Sequence, residues 1–356
     1  MQPTSLRRRS RRFPATAVRG AIVVGAVMSV MTLAGCADTP PPEPTPTLSS
    51  APTTPPVDTS SVRTLIDSER STPDLVVGEP AETVGGESAV QVSYDSGGAN
   101  VTGVLRIPDA DGPVPIVVVV HGSVDPEDYE TGRDLVPEQR ALLDAGFAVF
   151  ATDMRGYAGS DSADTAANLT IDPGFGWSTV LDWGMALDVV NALEIARSGQ
   201  IDGVDPDAVG LLGHSLGGLL ALDAAVISPG ASDLVIAMSA PASDLGEALG
   251  QVAEDDPDLA DELAAEGIGL PAEDPEYWAD ISPATFFDRA TAPLLLLHGS
   301  ADDVAPATWA QQTADAWTAT GGTAEVVVLD GGDHHLEPRR SEGDDIIVAA
   351  FDAVLR

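Results

Sequence analysis

Ser215 stands in Gly213-His214-Ser215-Leu216-Gly217, directly after the apolar run Val209-Gly210-Leu211-Leu212 and before the apolar stretch from Leu219 to Val226. That order reads as a strand turning sharply into a helix with a serine at the apex, a nucleophile elbow. The chains flanking such a turn nearly touch, so positions 213 and 217 must lack a side chain, and Gly218 adds a further margin. A serine hydroxyl is a poor nucleophile at neutral pH. It needs an imidazole base, and the imidazole needs an acid that fixes its tautomer and stabilises its charged form.

The chain has five histidines. His121, His214 and His298 sit at the ends of β-like runs or inside the elbow, where local packing holds the side chain. His334 and His335 remain, in the glycine-rich segment Asp330-Gly331-Gly332-Asp333-His334-His335 that follows the strand-like Ala324 to Leu329. His334 is the expected base; a solvent-exposed or metal-trapping His pair is the plainer reading of the same two residues. The acid should lie between serine and base in chain order and follow a strand. Leu294-Leu295-Leu296-Leu297-His298-Gly299 supplies the strand, and Asp302 is the expected acid, with Asp303 as the alternative. Either aspartate could instead cap the helix that starts near Pro306.

A tetrahedral intermediate also requires two convergent N–H donors. One is expected from Leu216, the residue after the nucleophile, at the positive end of its helix. The second is expected from Ser123, in His121-Gly122-Ser123 after the strand Ile116 to Val120, with the Tyr129 hydroxyl as an alternative donor. No metal or organic cofactor is called for by this set.

These residues need a scaffold that gathers strand ends. From about Leu75 the chain alternates β-like and helical runs, the pattern of a mostly parallel sheet covered on both faces. Val90 to Tyr94 and Val101 to Ile107 read as an opening antiparallel pair joined through Asp95-Ser96-Gly97-Gly98. Strands are then expected at 115–120, 147–152, 208–212, 233–239, 293–298 and 323–329, with helices near 137–145, 178–197, 216–227, 306–319 and 343–355. Between 240 and 283 the rhythm breaks into an acidic, alanine-rich stretch. A small helical lid is expected there, with Leu259, Leu263, Tyr277 and Trp278 lining or covering the site; a solvated surface excursion is the alternative.

With these segments in hand, residues 88–356 resemble the α/β-hydrolase superfamily, most of all the catalytic domains of prolyl-oligopeptidase-type and dienelactone-hydrolase-type enzymes. The resemblance rests on Val119-Val120-His121-Gly122, Asp153-Met154-Arg155-Gly156, Asp205-Pro206 through Gly218, Ser282-Pro283 through Pro306, and Gly332-Asp333-His334. It implies an α/β-hydrolase fold, with Asp153 and Arg155 organising the loop beside the site rather than reacting. Two departures bear on activity. The chain lacks the bladed second domain of oligopeptidases, and its single cysteine, Cys36, is not the cysteine nucleophile of dienelactone hydrolases.

The first 35 residues read as an export signal: arginines at 7, 8, 9, 11, 12 and 19, an apolar run from Ala21 to Ala34, then Leu33-Ala34-Gly35-Cys36. Leu-Ala-Gly-Cys resembles a bacterial lipobox, which implies cleavage before Cys36, a lipid on its sulfur and tethering to the outer face of the cell membrane. Residues 36–71 are expected to be a proline- and threonine-rich tether, and 72–356 the catalytic domain. The charge of the whole sequence, −39 from 17 basic residues against 56 acidic, makes nucleic acid and anionic lipid poor partners of the exported domain. Small esters are the first expected substrate class and peptides the second; a hydrolase fold kept only as a cell-envelope binding module is the third reading. Activity should fall on acidification as His334 takes up a proton.

Overall fold

The structure is a computed structural model that describes residues 57–162, 169–171, 179–249, 263–264 and 267–356. The signal segment, Cys36, residues 37–56 of the tether and Leu259 lie outside the described residues.

Nine strands form one sheet in the order β1-β2-β3-β5-β4-β8-β9-β10-β11. They are β1 (Val76–Pro80), β2 (Ser88–Ser96), β3 (Ala99–Ile107), β4 (Val114–Val120), β5 (Ala148–Thr152), β8 (Val204–His214), β9 (Leu234–Met238), β10 (Leu294–Gly299) and β11 (Ala324–Leu329). A separate antiparallel pair joins β6 (Leu169–Ile171) to β7 (Thr179–Leu181). The sheet is antiparallel from β1 across to β5 and parallel from β5 to β11. Ser96 pairs with Ala99 across Gly97 and Gly98, both at positive φ, which is the two-residue turn a twisted hairpin favours.

Helices α2 (Val136–Asp144), α3 (Trp183–Arg197), α4 (Leu216–Ile227), α5 (Pro275–Ile281), α6 (Thr308–Ala319) and α7 (Arg340–Leu355) follow α1 (Val62–Asp67) in the chain. Side chains alternate across the sheet between two apolar clusters. Val118, Leu211, Val235 and Leu296 face α3 and α4, whereas Val119, Leu212, Ile236 and Leu297 face α2 and α7. Burial on both faces explains why these strands read as unbroken apolar runs. Gly210 interrupts its run because the Phe351 ring of α7 lies on it; a Cβ there would stand 2.7 Å from Phe351 Cδ1. The sequence of α4 is apolar all round because every residue in it is buried. Asp223 is the exception in kind: it is 1 % exposed, its Oδ1 has no hydrogen-bond partner among the described residues, and burial pushes its carboxyl well above the usual range.

Three expectations need correction. The tether does not run to residue 71. Ser61 caps α1 by accepting the Thr64 N–H at 3.1 Å, Thr64 Oγ1 accepts the Ser61 N–H at 3.0 Å, and Val62 and Leu65 are fully buried as α1 packs on α3, α4 and α5. Replacing Leu65 by alanine is therefore expected to cost about 2–5 kcal/mol of unfolding free energy. A denaturant curve within 0.5 kcal/mol of the parent's, by rough allowance for surface changes, would return α1 to the tether. The helix expected from 178 starts only at Trp183, where the Asp182 carboxylate accepts the Gly184 N–H, because residues 179–181 form β7. Finally, β1 precedes the expected opening pair as an additional edge strand.

Of the stretch 240–283, residues 250–262, 265 and 266 lie outside the described residues, and the described part carries helix at 245–249 and in α5. Within it Trp278 donates its indole N–H to Gly269 O at 2.9 Å, and both Trp278 and Leu263 are buried in the cluster that α1 also joins. Tyr277 is half-buried, with its ring edge-on to Trp278.

Candidate active site

Chain order places β5 on one side of β4 and β8 on the other, so the sheet's direction of winding reverses at β4. Open α/β sheets hold ligands at the carboxyl ends of the strands beside such a reversal. Here those ends are His121-Gly122-Ser123 after β4 and Ser215 after β8, with Asp302 and His334 following β10 and β11 along the same edge.

Ser215 adopts φ 52° and ψ −120°, a strained conformation for a residue with a Cβ. Its N–H donates to Met238 O at 2.9 Å, tying the turn to the end of β9. Gly213 and Gly217 permit the turn. A Cβ on Gly213 would fall on the Gly217 carbonyl, and one on Gly217 would stand 2.5 Å from His121 O and closer still to Val120 O. Gly218 faces Ala240 in the same way, with a Cβ 2.8 Å from the alanine's own.

The residues expected to act together do come together. Ser215 Oγ lies 3.0 Å from His334 Nε2, and His334 Nδ1 lies 2.9 Å from Asp302 Oδ2. The Asp302 side chain is sealed from solvent. Burial alone would raise its carboxyl, but donation from His298 and His334 and from the Ala305 N–H holds it well below the usual carboxylate range. It therefore stays ionised, and as an anion it accepts the proton on His334 Nδ1, leaving Nε2 as the acceptor for the serine hydroxyl. Asp302 also closes the following turn, since Oδ1 accepts the Val304 and Ala305 N–H groups at 2.9 Å each, but it does not cap the next helix as the plainer reading had it, because α6 begins at Thr308 with Ala307 as its N-cap. Asp303 is exposed.

Acid and base loops are fastened to each other. The Ala301 N–H donates to Gly332 O at 2.8 Å, and Gly299 lies so close to Gly332 and Asp333 that a Cβ would overlap their carbonyls. His214, buried inside the elbow, adds a second fastening through Nε2, 3.0 Å from His334 O. Burial and the neighbouring His334 push its pKa down to about 3, so the ring is neutral and its one N–H serves that carbonyl. His335 takes no part in the hydrogen bonds of this relay: its backbone N–H donates to Asp333, and its exposed ring lies 4.9 Å from that of His214 and 5.6 Å from that of His334.

Leu216 is the first residue of α4, so its N–H has no place in the helix's own hydrogen-bond ladder. Gly122 lies against the elbow, where a Cβ would be 3.2 Å from Ser215 Cβ, and its own N–H donates to Asp134 Oδ2 at 3.2 Å. The next peptide, Gly122–Ser123, is held by His121 Nδ1, 2.7 Å from Gly122 O, while His121 Nε2 lies 2.8 Å from Asp153 O. Tyr129 does not offer its hydroxyl to the site. It donates to Asp153 Oδ1 at 2.9 Å, and burial together with that carboxylate pushes the phenol well above its ordinary range.

Asp153 and Arg155 organise loops, as the resemblance implied. Asp153 takes the Tyr129 and Thr102 hydroxyls and the Gly132 N–H; Arg155 forks onto the buried Asp188 of α3 and reaches Ser96 O. Sequence reasoning missed Asp134 and the second imidazole on Asp302, His298. Asp134 sits in a loop without periodicity, twelve residues after the amide it holds. His298 was set aside with the histidines held by packing. Among the described residues no three His, Cys, Asp or Glu side chains converge as metal ligands.

Solved structures similar in fold include Est1E from Butyrivibrio proteoclasticus with ferulic acid bound, at 17% identity and a TM-score of 0.53, covering 74% of this chain and 98% of that one. An acetyl xylan esterase from Paenibacillus sp. R4 is similar at 20% identity and a TM-score of 0.61, over 81% of this chain and 92% of the esterase. The Pyrococcus horikoshii acylaminoacyl peptidase matches at 18% identity and a TM-score of 0.55, over 82% of this chain but 43% of the peptidase, so this chain spans less than half of that enzyme's length. Residues 117–345, which run from β4 into α7 and include Ser215, Asp302 and His334, match the alpha/beta hydrolase family, and the chain belongs to that family.

Proposed function

We propose that the protein is a serine hydrolase of small carboxylic esters that works through an acyl-enzyme. Ser215 Oγ attacks the ester carbonyl as His334 Nε2 takes its proton, and Asp302 steadies the imidazolium. The Leu216 and Ser123 amides receive the negative charge on the carbonyl oxygen. His334 then returns the proton to the leaving alcohol, and the same base activates water to release the acid. The observation that carries this reading is the unbroken Ser215–His334–Asp302 relay at 3.0 and 2.9 Å. Ester hydrolysis is favoured over peptide hydrolysis because this chain spans most of each similar esterase and under half of the similar peptidase.

The test is labelling of the chain from Ala37 onward with a fluorophosphonate, beside Ser215→Ala, followed by p-nitrophenyl acyl esters and aminoacyl-proline amides. Labelling that is lost in the variant, with turnover confined to the esters, is the expected result. Turnover of the amides alone makes the protein a peptidase, and a folded parent that neither labels nor turns over is a binding module.

We further propose that the chain is exported and cleaved before Cys36, whose lipidated sulfur anchors the enzyme outside the cell. The lipobox-like Leu33-Ala34-Gly35-Cys36 supports this. Labelled fatty acid fed to expressing cells should enter the protein and be lost in Cys36→Ala; incorporation that survives the substitution rejects the anchor.

A further inference from the structure

We propose that His298 is a positioning residue for the Ser215–His334–Asp302 relay, its Nε2–H shared between Asp302 Oδ2 and Ala305 O so that it limits how strongly Asp302 binds His334. The inference rests on the serine-hydrolase reading and extends it.

His298 Nε2 lies 3.1 Å from Asp302 Oδ2 and 2.8 Å from Ala305 O. Both are acceptors, which fixes the ring proton on Nε2. The oxygen it approaches is the one that His334 Nδ1 meets at 2.9 Å, while the other carboxylate oxygen is occupied by the Val304 and Ala305 N–H groups. One carboxylate thus takes four donors, two of them imidazoles on a single oxygen. His298 is 1 % exposed at the fifth position of β10 and paired in register with Val328 of β11, so the ring is held by the sheet rather than by the loop it serves.

A donor on a shared oxygen draws charge from the other hydrogen bonds to that oxygen. With the His298 N–H present, Asp302 binds the His334 imidazolium less tightly, and His334 gives its proton more readily to the leaving group. Without it, Asp302 Oδ2 is left to His334 alone, the imidazolium is favoured, and a higher pH is needed to free the base. The other titratable groups nearby are engaged elsewhere or directed outward. His214 donates to His334 O, the His335 ring stands 5.6 Å from that of His334, Asp333 takes the His335 and Glu337 N–H groups, Asp330 accepts from Ser300 Oγ, and Asp303 is exposed.

The experiment compares His298→Gln, whose amide N–H reaches the place of Nε2, with His298→Asn, whose amide falls short of Oδ2, both in the full chain. In His298→Asn the acid limb of the kcat/KM profile should move up by about half to one pH unit and kcat should fall about 3- to 10-fold. KM should stay within about twofold, and His298→Gln should lie close to the parent in both. The low-field proton resonance of the His334–Asp302 hydrogen bond, which needs no turnover, should move in His298→Asn and not in His298→Gln. A His298→Asn profile and resonance that superimpose on the parent's, or two variants that behave alike, overturn the inference. A parent that does not react with a fluorophosphonate, yet shows the expected resonance shift, removes the hydrolase reading and leaves the His298 linkage standing.

Discussion

Asp302→Asn is expected to lower kcat for a p-nitrophenyl ester by about 10⁴, while Asp303→Asn leaves it within about twofold of the parent. An asparagine can still accept the Val304 and Ala305 N–H groups through its carbonyl, so the turn after β10 survives. Its amide then faces His334 Nδ1 as a donor. The imidazole must answer with a lone pair at Nδ1 and carry its proton on Nε2, where it can no longer take the proton of Ser215. The catalytic defect is one of tautomer, so it should persist across the neutral range. The pH direction agrees. A carboxyl held below its unfolded value contributes stability that is present above the unfolded pKa and lost only as the pH falls through the folded one, here well under the ordinary carboxylate range. Activity lost at mildly acidic pH is therefore not assigned to protonation of Asp302. Retention of more than about a tenth of kcat in Asp302→Asn, or a large loss in Asp303→Asn, would move the acid to another residue.

Gly217→Ala should be among the most damaging methyls that could be added to the described residues. The added carbon would meet two backbone oxygens, Val120 O and His121 O, at the end of a strand hydrogen-bonded to β5 on one side and β8 on the other. Neither neighbour is a side-chain tip that can swing aside. A loss of about 3 kcal/mol or more is expected, which for a domain of this size lowers the melting temperature by roughly 10 °C. Gly112→Ala is the control, because nothing lies within 4 Å of its added carbon, and it should change stability by less than about 0.5 kcal/mol. Equal melting temperatures for the two variants would mean that the contact between α4 and β4 is looser than described.

What could be read from the chain follows from where its information lies. Strands buried on both faces announce themselves as apolar runs, so β4, β8, β9 and β10 were expected within a few residues of their bounds. The chemistry-bearing residues sit at the ends of those runs, beside glycines that no other residue could replace, which is why Ser215, His334 and Asp302 stood out. Helix α1 did not, because six residues with three apolar positions beside a Pro- and Thr-rich tract are too short to carry a periodicity; their stability comes from packing on α4, a contact distant in sequence. Every residue of β1 falls on the exposed side, so the strand has no alternation to read. Tyr129 and Asp134 belong to a loop whose hydrogen-bond partners are set by the fold alone.

Asp223 couples folding to acidity. The native state keeps this buried carboxyl protonated at pH values where the unfolded chain, titrating near the ordinary ~3.9, has released the proton. Folding therefore draws one proton from the medium across that window. By linkage, the group's contribution to stability is complete below the unfolded value and is lost as the pH rises toward the folded one. The other residues of α4 are apolar and carry no charge to offset its burial. The helix that begins at the strained Ser215 thus also carries a reserve of stability that an acidic medium supplies and a neutral one withdraws, opposite in sign to the contribution of Asp302.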